Sequence, residues 1–469
     1  MKWLAFLLVC AASAQERQSV AAFARQGNRF VSQLSDGVAD LEWISPSTFR
    51  FRHTYAPQLP PRSSIDAEPV NVIVNESEAE ISFTTMFLKT TLRKDDLRVN
   101  VRKAADSTTL MNDLTPAQRR EGVISWERQL EPAARYYGLG AKTGASLNLR
   151  GMLVPDAIPF LLSTAGYGEQ HVAPGKYVFD IGRSRPGRYR IEIRKSETID
   201  YYFYFGPTPK EIFEERLKAV GAKFAPQSDP VRFRWLLEQS LSGIILPPEM
   251  VTRPVPSAFR KRLNPYLAAY IQEVHDRGCP ILHPLAVQFP RDPETDKYPD
   301  ETMLGDELLL AIGRSTYLPQ GIWTNLSSNA VSPGKKVIQT EDGPAIFARN
   351  GSIVPLTGSN TLELHYFPKL GAEFFLYEEE AGDYTQTHAA PAVDVIRLEI
   401  ESKVARDYTW VVHHVESVKA VAAGETQLAE VKIATDLLPK TWYYDAALQN
   451  LHVRDSIVAG QDHIVNVSF

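Results

Sequence analysis

The sequence predicts a mainly β, multidomain protein, and three observations lead to that prediction. Segments 48–53, 80–85 and 189–194 alternate apolar and polar residues with a period of two, as half-buried antiparallel strands do. Breakers such as the Pro186-Gly187 pair separate the segments. A chain of 469 residues with 44% hydrophobic residues is long enough for several ordinary hydrophobic cores. We therefore expect a large β-sandwich in the first half of the chain.

The N-terminus has the pattern of a secretory signal peptide. Lys2 is followed by an apolar stretch over residues 3–9 and then by Ala12-Ser13-Ala14, the small residues of a cleavage site. We expect residues 1–14 to be removed and the protein to be secreted or periplasmic. No later apolar run approaches the about 20 residues that a membrane-spanning helix needs, so we expect no membrane span.

Composition argues against several functional classes. A formal charge of -5 and the lack of a long basic run argue against nucleic acid as a partner, because binding phosphates needs clustered Lys and Arg. The ten histidines show no HExxH or comparable spacing, so we predict no metal site and no cofactor. The mature chain would keep one cysteine, Cys279, which we expect to be a buried core thiol.

Two helices are predicted near the middle of the chain. Thr208, followed by Pro209 and Glu211, has the form of a capping box with proline at the first helical position. A second helix begins near Leu263, where apolar residues recur at helical spacing, and ends at Gly278.

The stretch that follows the second helix predicts one buried strand. Residues 280–290 are apolar and bracketed by prolines, as short buried strands are. A helix followed by a buried strand is a unit of an α/β barrel. The chain is therefore expected to contain at least a small α/β segment between its β-rich parts.

A series of motifs then follows along the chain. In order, the motifs are Tyr137-Gly138-Leu139-Gly140-Ala141-Lys142, residues 158–163, residues 199–211, Pro265-Tyr266-Leu267, His283-Pro284-Leu285, Met303-Leu304-Gly305-Asp306, residues 316–324, residues 346–355 and residues 374–384. In order and spelling they resemble glycoside hydrolase family 31, the α-glucosidase and α-xylosidase family. Ala141 stands where that family usually has glutamate, and His283 where it usually has arginine.

The resemblance implies a domain organisation. After the signal peptide at 1–14, we expect an N-terminal β-supersandwich over residues 15–221. A short α/β remnant of a TIM barrel would occupy residues 222–299. A proximal C-terminal β-sandwich over 300–360 and a distal C-terminal β-domain over 361–469 would complete the chain.

The resemblance also implies that the catalytic centre is missing. A complete eight-stranded barrel needs about 250 residues, whereas the interval from Ala222 to Pro299 contains only 78. Retaining glycosidases need two carboxyl groups about 5 to 5.5 Å apart. In this family both are aspartates, one in a Trp-x-Asp-Met-Asn-Glu run and one after a later strand in the middle of the barrel. Neither aspartate motif occurs in this sequence. We therefore predict no catalytic residue.

Four residues are candidates for contacts with a sugar. Arg234 and Trp235 lie in a segment that resembles the family's late Arg-Trp-x-Gln segment. His283 lies in the predicted buried strand, where a core histidine is the more common outcome. Trp323 could stack on a sugar face, although a core tryptophan is again more common. The carboxylates nearest the shortened interval are expected to be solvated surface charges; they are Asp229, Glu238, Glu249, Asp300, Glu301 and Asp306.

Three hypotheses about function remain open. In the first, the chain is a secreted, non-catalytic relative of the α-glycosidases that binds oligo- or polysaccharide or acts as an interaction scaffold. In the second, it is an active α-glycosidase that uses other carboxylates or a site supplied by a partner. In the third, it is a non-functional deletion remnant, which predicts that residues 263–287 expose apolar faces normally covered by a whole barrel.

Overall fold

The computed structural model describes residues 19–35, 37–61, 69–142, 147–221, 244–245, 255–340 and 344–469. Over these residues the protein consists mainly of antiparallel β-strands in several sheets, with a few short helices. The prediction of a mainly β, multidomain protein is therefore confirmed. The chain divides into two compact units. The first holds the described residues up to Ala134 together with Arg150–Pro159 and Gly168–Phe205, and the second holds Arg135–Leu149, Phe160–Tyr167 and Gly206–Phe469.

The first unit is formed entirely by strands in the described part of the chain. They are Val20–Gln26, Arg29–Leu34, Gly37–Ser45, Thr48–Thr54, Ile73–Glu76, Glu80–Thr84, Leu88–Arg93, Val99–Lys103, Thr109–Asn112, Gln118–Arg120, Val123–Gln129, Leu153–Val154, Tyr167–His171, Lys176–Asp180, Arg188–Arg194 and Thr198–Phe205. Strands between residues 73 and 112 pair consecutively in one antiparallel meander. Consecutive pairing of this kind is typical of β-sandwich domains.

The strand Thr48–Thr54 is buried along its whole length, although apolar and polar residues alternate in its sequence. Its two buried arginines, Arg50 and Arg52, have charged partners in the interior. The guanidinium of Arg50 donates to both oxygens of Asp200 at 2.8 and 2.7 Å. That of Arg52 donates to both oxygens of Asp40 at 2.9 and 2.6 Å. Buried charges are tolerated when each is paired in this way.

The second unit contains the helices of the described chain. Helix α1 is Pro209–Val220, α2 is Ser257–Arg262, α3 is Asn264–Arg277 and α4 is Leu285–Gln288, and 3-10 turns lie at Pro293–Lys297 and Ala434–Asp436. Its strands are Tyr136–Gly138, Ala141–Lys142, Phe160–Ser163, Ile244–Ile245, Leu282–Pro284, Glu301–Leu304, Leu308–Ala311, Ser315–Leu318, Ile322–Asn325, Val331–Pro333, Lys336–Gln339, Ala345–Arg349, Ser352–Thr357, Leu362–Phe367, Ala372–Glu378, Asp383–Pro391, Val395–Glu401, Arg406–Val412, Ala420–Ala423, Thr426–Gln427, Ala429–Val431, Thr441–Asp445, Asn450–Ile457 and Asp462–Ser468. None of the helices described here has the length and apolar character needed to cross a membrane.

Both predicted helices are present with their predicted ends. At the start of α1, the carboxylate of Glu211 accepts hydrogen bonds from the backbone N–H and the hydroxyl of Thr208, each at 2.7 Å. Helix α3 ends at Gly278, which has φ 70° and ψ 2°, the left-handed conformation that glycine adopts most readily. A Cβ on Gly278 would lie 3.0 Å from the Cβ of Leu217, so helix α1 packs closely on this corner.

The prediction that residues 280–290 form one strand is wrong. The strand covers only Leu282–Pro284, and helix α4 follows it directly. A short apolar run does not distinguish a strand from a buried turn of helix, and Leu285 and its neighbours are buried as a helical turn. The strand pairs antiparallel with Glu301–Leu304, so it belongs to an antiparallel sheet.

The C-terminal part of the second unit contains a β-sandwich. Strands Ser352–Thr357 and Leu362–Phe367 belong to one sheet, and Ala372–Glu378 and Asp383–Pro391 belong to a second. Buried apolar side chains from both sheets form a single core cluster. Sheet pairing thus joins residues on either side of the predicted boundaries at 299 and 360, and these boundaries stay predictions.

The apolar face of α3 is covered within the second unit. Leu263, Leu267, Ile271 and Val274 are all at most 7% exposed and belong to the same core cluster as the two C-terminal sheets. The deletion-remnant hypothesis predicts exposed apolar faces at these positions, and the structure shows none at the four residues named.

Candidate functional site

A cluster of two tyrosines and one glutamate joins α3 to the turn after Glu301–Leu304. Tyr266 and Tyr270 are one helical turn apart, so both rings project from the same face of α3. Their hydroxyl groups lie 2.7 and 2.6 Å from Oε2 of Glu307. The Tyr266 hydroxyl also lies 2.6 Å from the carbonyl oxygen of Leu304, and that of Tyr270 accepts from the backbone N–H of Asp306 at 2.9 Å.

Gly305 allows the turn to approach the tyrosines. Its φ is 63°, and a Cβ at this position would lie 2.1 Å from the Tyr266 hydroxyl oxygen and 2.5 Å from a ring carbon of Tyr270. Such distances are far below van der Waals contact, so a side chain would displace the rings. The Met-Leu-Gly-Asp motif therefore has a local physical reason for its glycine.

Burial controls the charge of this cluster. It raises the pKa of Glu307 to about 7, with a further contribution from the nearby charge of Asp306, while the tyrosine hydrogen bonds act in the opposite direction. Burial also raises the pKa of Glu273, one turn further along α3. Asp306 itself forms an ion pair with Lys210. Glu307 can therefore accept or donate a hydrogen bond near neutral pH.

A solvent-open cleft of about 330 Å³ adjoins the cluster. One wall is polar and contains Glu273, Asp276, Arg277 and Glu307, and another is aromatic and contains Phe375 and Tyr384. We call this feature the Phe375 cleft. Its size is at the lower end of the range for small-molecule sites, about 300 to 1,000 Å³.

His283 is an interior histidine. It is 1% exposed, its Nδ1 lies 3.0 Å from the carbonyl oxygen of Pro280, and its Nε2 lies 3.2 Å from Oε1 of Gln288. Burial lowers its pKa, which favours the neutral imidazole. Both ring nitrogens thus have partners inside the protein, and the ring offers no group to a ligand in this structure.

Trp323 is also interior. It is 0% exposed, its indole N–H donates to the carbonyl oxygen of Pro319 at 2.9 Å, and its ring meets that of Phe289 edge-on. Neither face is available for a sugar. The other two candidates, Arg234 and Trp235, lie outside the described residues, as do Asp229, Glu238 and Glu249.

The remaining carboxylates near residues 222–299 are not all solvated surface charges, as the sequence predicts them to be. Asp300 is exposed, as predicted, and Asp306 is half-buried in its ion pair with Lys210. The prediction of a solvated charge is wrong for Glu301, which is 3% exposed and accepts a hydrogen bond from the backbone N–H of Tyr317 at 2.7 Å. Burial raises the pKa of Glu301 to about 9.

Sequence reasoning missed the residues that the structure brings together. Glu307 directly follows Asp306 and reads as one more acidic residue at a turn. Tyr266 and Tyr270 read as part of the apolar face of α3. The four-residue spacing of the tyrosines was the available signal, but only the fold places Glu307 opposite them.

The described residues define a multidomain β protein with an acidic and aromatic surface cleft. Comparisons with known proteins relate two of its regions to one family. Residues 31–170 match the model of the glycosyl hydrolase 31 N-terminal galactose mutarotase-like domain. Residues 278–354 match the model of the glycosyl hydrolase family 31 C-terminal domain. The chain is therefore a relative of glycoside hydrolase family 31, as its motifs imply.

Individual relatives match only in part. An α-glucosidase of Saccharolobus solfataricus is 31% identical over 109 residues, which cover 22% of this chain and 16% of the relative. An isomaltosyltransferase of Sporosarcina globispora is 24% identical over 237 residues, covering 44% of this chain and 22% of the relative. The aligned parts of the chain therefore span less than a quarter of the length of these two curated relatives.

Solved structures share the fold over a longer span. A dextranase of Flavobacterium johnsoniae complexed with glucose has a TM-score of 0.78 at 14% identity, covering 97% of this chain and 100% of that one. A cycloalternan-forming enzyme of Listeria monocytogenes, complexed with a pentasaccharide substrate, has a TM-score of 0.76 at 12% identity, covering 96% of this chain and 77% of that one. Identities this low show similarity of fold alone.

Proposed function

We propose that this protein is an exported, non-catalytic member of its family that binds an α-linked oligo- or polysaccharide. One observation carries the proposal. The interval from Ala222 to Pro299 has 78 residues, whereas a complete barrel needs about 250. Neither of the family's catalytic aspartate motifs occurs in the sequence. A retaining mechanism needs two carboxyl groups held about 5 to 5.5 Å apart on a rigid scaffold.

Carbohydrate is the proposed ligand because the chain is related to a glycoside hydrolase family and because solved structures of similar fold contain oligosaccharides. A variant of the Flavobacterium johnsoniae dextranase has been solved with isomaltotriose, and the Listeria monocytogenes enzyme with a pentasaccharide. Both ligands are oligosaccharides. A relative that has lost the chemistry can still use a non-catalytic surface to hold the same class of molecule.

Catalysis and binding are tested separately on the purified full chain. We expect no release of nitrophenol from 4-nitrophenyl α-glucoside or α-xyloside above a buffer control. We expect retardation in native gels that contain soluble dextran or starch, but not in gels that contain a β-glucan. Turnover that co-purifies with the protein and disappears in an Asp229→Asn, Glu238→Gln or Glu249→Gln variant would show an active glycosidase and overturn the non-catalytic part.

Export is tested on its own. Residues 1–14 carry the signal-peptide pattern, so we expect the mature protein to begin at Gln15. N-terminal sequencing of the protein recovered from the medium or periplasm checks this. Protein that is found only inside the cell with Met1 or Lys2 at its start would remove export from the proposal.

A further inference from the structure

The Phe375 cleft combines the two kinds of surface that a sugar ring needs. A pyranose presents apolar C–H faces and a rim of hydroxyl groups, so sites that bind it place an aromatic ring beside hydrogen-bonding side chains. The side chain of Phe375 is 50% exposed beside the cleft. The cleft therefore offers an accessible aromatic ring beside hydrogen-bonding side chains.

The aromatic wall is part of a regular sheet face. In the strand Ala372–Glu378, Glu373, Phe375 and Tyr377 point to the same side because side chains alternate along a strand. Tyr377 lies opposite Tyr384 on the next strand, with ring centroids 5.3 Å apart. The Tyr384 hydroxyl donates to Asp276 at 3.2 Å, which ties this wall to helix α3.

The polar wall offers both donors and acceptors. Glu273 and Asp276 supply carboxylate oxygens. Arg277 supplies N–H groups, whose ion-pair contacts with Glu214 and Glu273 are long, at 3.5 and 3.7 Å. Glu307 is oriented by the two tyrosine hydroxyls, both of which bond to its Oε2. A sugar hydroxyl group would therefore bond to the other carboxyl oxygen, Oε1.

The cleft is preformed. The ring of Phe374, next to Phe375 in the chain, packs on Tyr266 and Tyr270 with centroid distances of 5.8 and 6.2 Å. Gly305 holds the turn against the same rings. A site whose side chains are already fixed loses little conformational entropy when a ligand binds.

The charged side chains of the cleft disfavour an anionic ligand. Five carboxylates line the cleft, from Glu273, Asp276, Asp306, Glu307 and Glu373, beside the guanidinium of Arg277. Within the described residues, no three His, Cys, Asp or Glu side chains come together as a metal site. A polyhydroxyl ligand suits such a surface better than a cation or an anion, since it needs hydrogen bonds and no charge compensation.

We propose that the Phe375 cleft binds one hexose unit of a neutral α-linked oligosaccharide, with the sugar stacked on Phe375 and its hydroxyl groups bonded to Glu273, Arg277 and Glu307. This inference rests on the proposed function, because it supplies the site for carbohydrate binding. The volume of about 330 Å³ accommodates a single unit, while the open side of the cleft lets the rest of the chain extend into solvent.

Substitution of the aromatic ring tests the site. Calorimetric titration of the full chain with isomaltotriose, and in parallel with maltotriose, measures the affinity. We expect Phe375→Ala to weaken binding roughly tenfold or more, because a stacked ring contributes on the order of a tenfold change in affinity. Phe375→Trp should retain binding, since it keeps a flat aromatic face.

Phe87→Ala is the matched control. Phe87 is a partly exposed phenylalanine of the first unit, 39% exposed, and does not line the cleft. It should bind as tightly as the parent protein. Equal melting temperatures of the parent, Phe87→Ala and Phe375→Ala proteins would show that an affinity loss does not come from unfolding.

The possible outcomes distinguish a failure of the site assignment from a failure of the proposed function. If the parent protein binds either trisaccharide and Phe375→Ala binds equally well, the cleft is not the site, although carbohydrate binding stands. If the parent binds neither trisaccharide nor dextran and starch, the carbohydrate part of the proposed function fails, and the cleft assignment fails with it. Loss of binding in both Phe375→Ala and Phe87→Ala would also contradict the site.

Discussion

Gly305 occupies a position at which both the backbone conformation and the surrounding space exclude a side chain. Gly382 has the same φ of 63° in a turn where a Cβ would meet nothing within 4 Å. The two glycines therefore separate the cost of the left-handed conformation, about 1 to 2 kcal/mol, from the cost of a steric clash.

We expect Gly305→Ala to destabilise the protein more than Gly382→Ala. Both variants carry the backbone cost, but only Gly305→Ala must also displace Tyr266 and Tyr270, which adds on the order of 1 to 3 kcal/mol. Urea unfolding followed by tryptophan fluorescence measures the difference. Equal unfolding midpoints for the two variants would show that the tyrosines move aside without cost.

The raised pKa of the buried Glu301 leads us to predict that the stability of the protein depends on pH. Its pKa is raised to about 9 in the folded protein, whereas an unfolded glutamate titrates near about 4.3. Between these values the folded protein keeps the proton and the unfolded chain has lost it, so stability falls as pH rises through this window. Below pH 4 both states are protonated, and Glu301 causes no loss.

The variant Glu301→Gln removes this proton linkage. It should gain stability relative to the parent protein as pH rises from about 4 to 8, because glutamine needs no proton to stay neutral. Urea midpoints at pH 4, 6 and 8 check this. The exposed Glu425→Gln serves as control and should follow the parent. A constant offset between Glu301→Gln and the parent at all three pH values would contradict the assignment.

At the scale of elements, two ion pairs of similar geometry sit in different surroundings. Arg50 and Asp200 join the strands Thr48–Thr54 and Thr198–Phe205, with side chains only 11% and 10% exposed. Arg93 and Asp95 form an equally short pair on the surface, at 47% and 44% exposure. Both pairs have an N–O distance of 2.7 Å.

We expect Asp200→Asn to cost about 3 to 5 kcal/mol, because it leaves the guanidinium of Arg50 buried without its counter-charge. Asp95→Asn should change stability by at most about 0.5 kcal/mol, since water screens an exposed pair. Denaturant unfolding of both variants gives the comparison. If the two substitutions cost the same, the strand pairing does not depend on the buried charge.

Part of the element structure could be read from the sequence. Helices α1 and α3 were predictable because their ends carry local signals, the Glu211 capping contact and the left-handed Gly278. The structure of residues 280–290 was not predictable, because their apolar side chains suit either a strand or a helical turn. Only pairing with Glu301–Leu304 limits the strand to Leu282–Pro284.

The cleft was less predictable than the fold. Phe374 and Phe375 are adjacent, and nothing in the local sequence indicates which of them faces the core. The packing of Phe374 on Tyr266 and Tyr270 decides this and leaves Phe375 outside. His283 and Trp323, candidates chosen by residue type, prove to be interior because both lie on buried strands of the sheet that contains Glu301–Leu304.

At the scale of the molecule, the question is whether a chain with only 78 residues from Ala222 to Pro299 remains a folded protein. The helix α3 buries its apolar face in the core cluster of the two C-terminal sheets. Helix α1 packs against the Gly278 corner at the end of α3. These contacts cover the apolar face that the deletion-remnant hypothesis predicts to be exposed, and they favour a cooperative core.

Cys279 provides a probe of that core. It is 8% exposed, and burial raises its thiol pKa to about 12. The reactive form of cysteine is the thiolate, so a buried thiol with a raised pKa should not react with a thiol reagent in the folded protein. We expect no rapid reaction with 5,5′-dithiobis(2-nitrobenzoic acid) in native buffer and complete reaction in denaturant.

The number of thiols that react in denaturant also reports on processing. The sequence has two cysteines, Cys10 within the predicted signal peptide and Cys279. A chain that has lost residues 1–14 should therefore show one reactive thiol when unfolded, whereas the full chain should show two. Rising reagent reactivity should follow the loss of tryptophan fluorescence along a urea gradient, since Cys279 lies at the end of α3, whose face is buried in the core. Full reaction in native buffer would mean that the corner at Cys279 opens without global unfolding. The core would then be accessible to solvent at the end of α3.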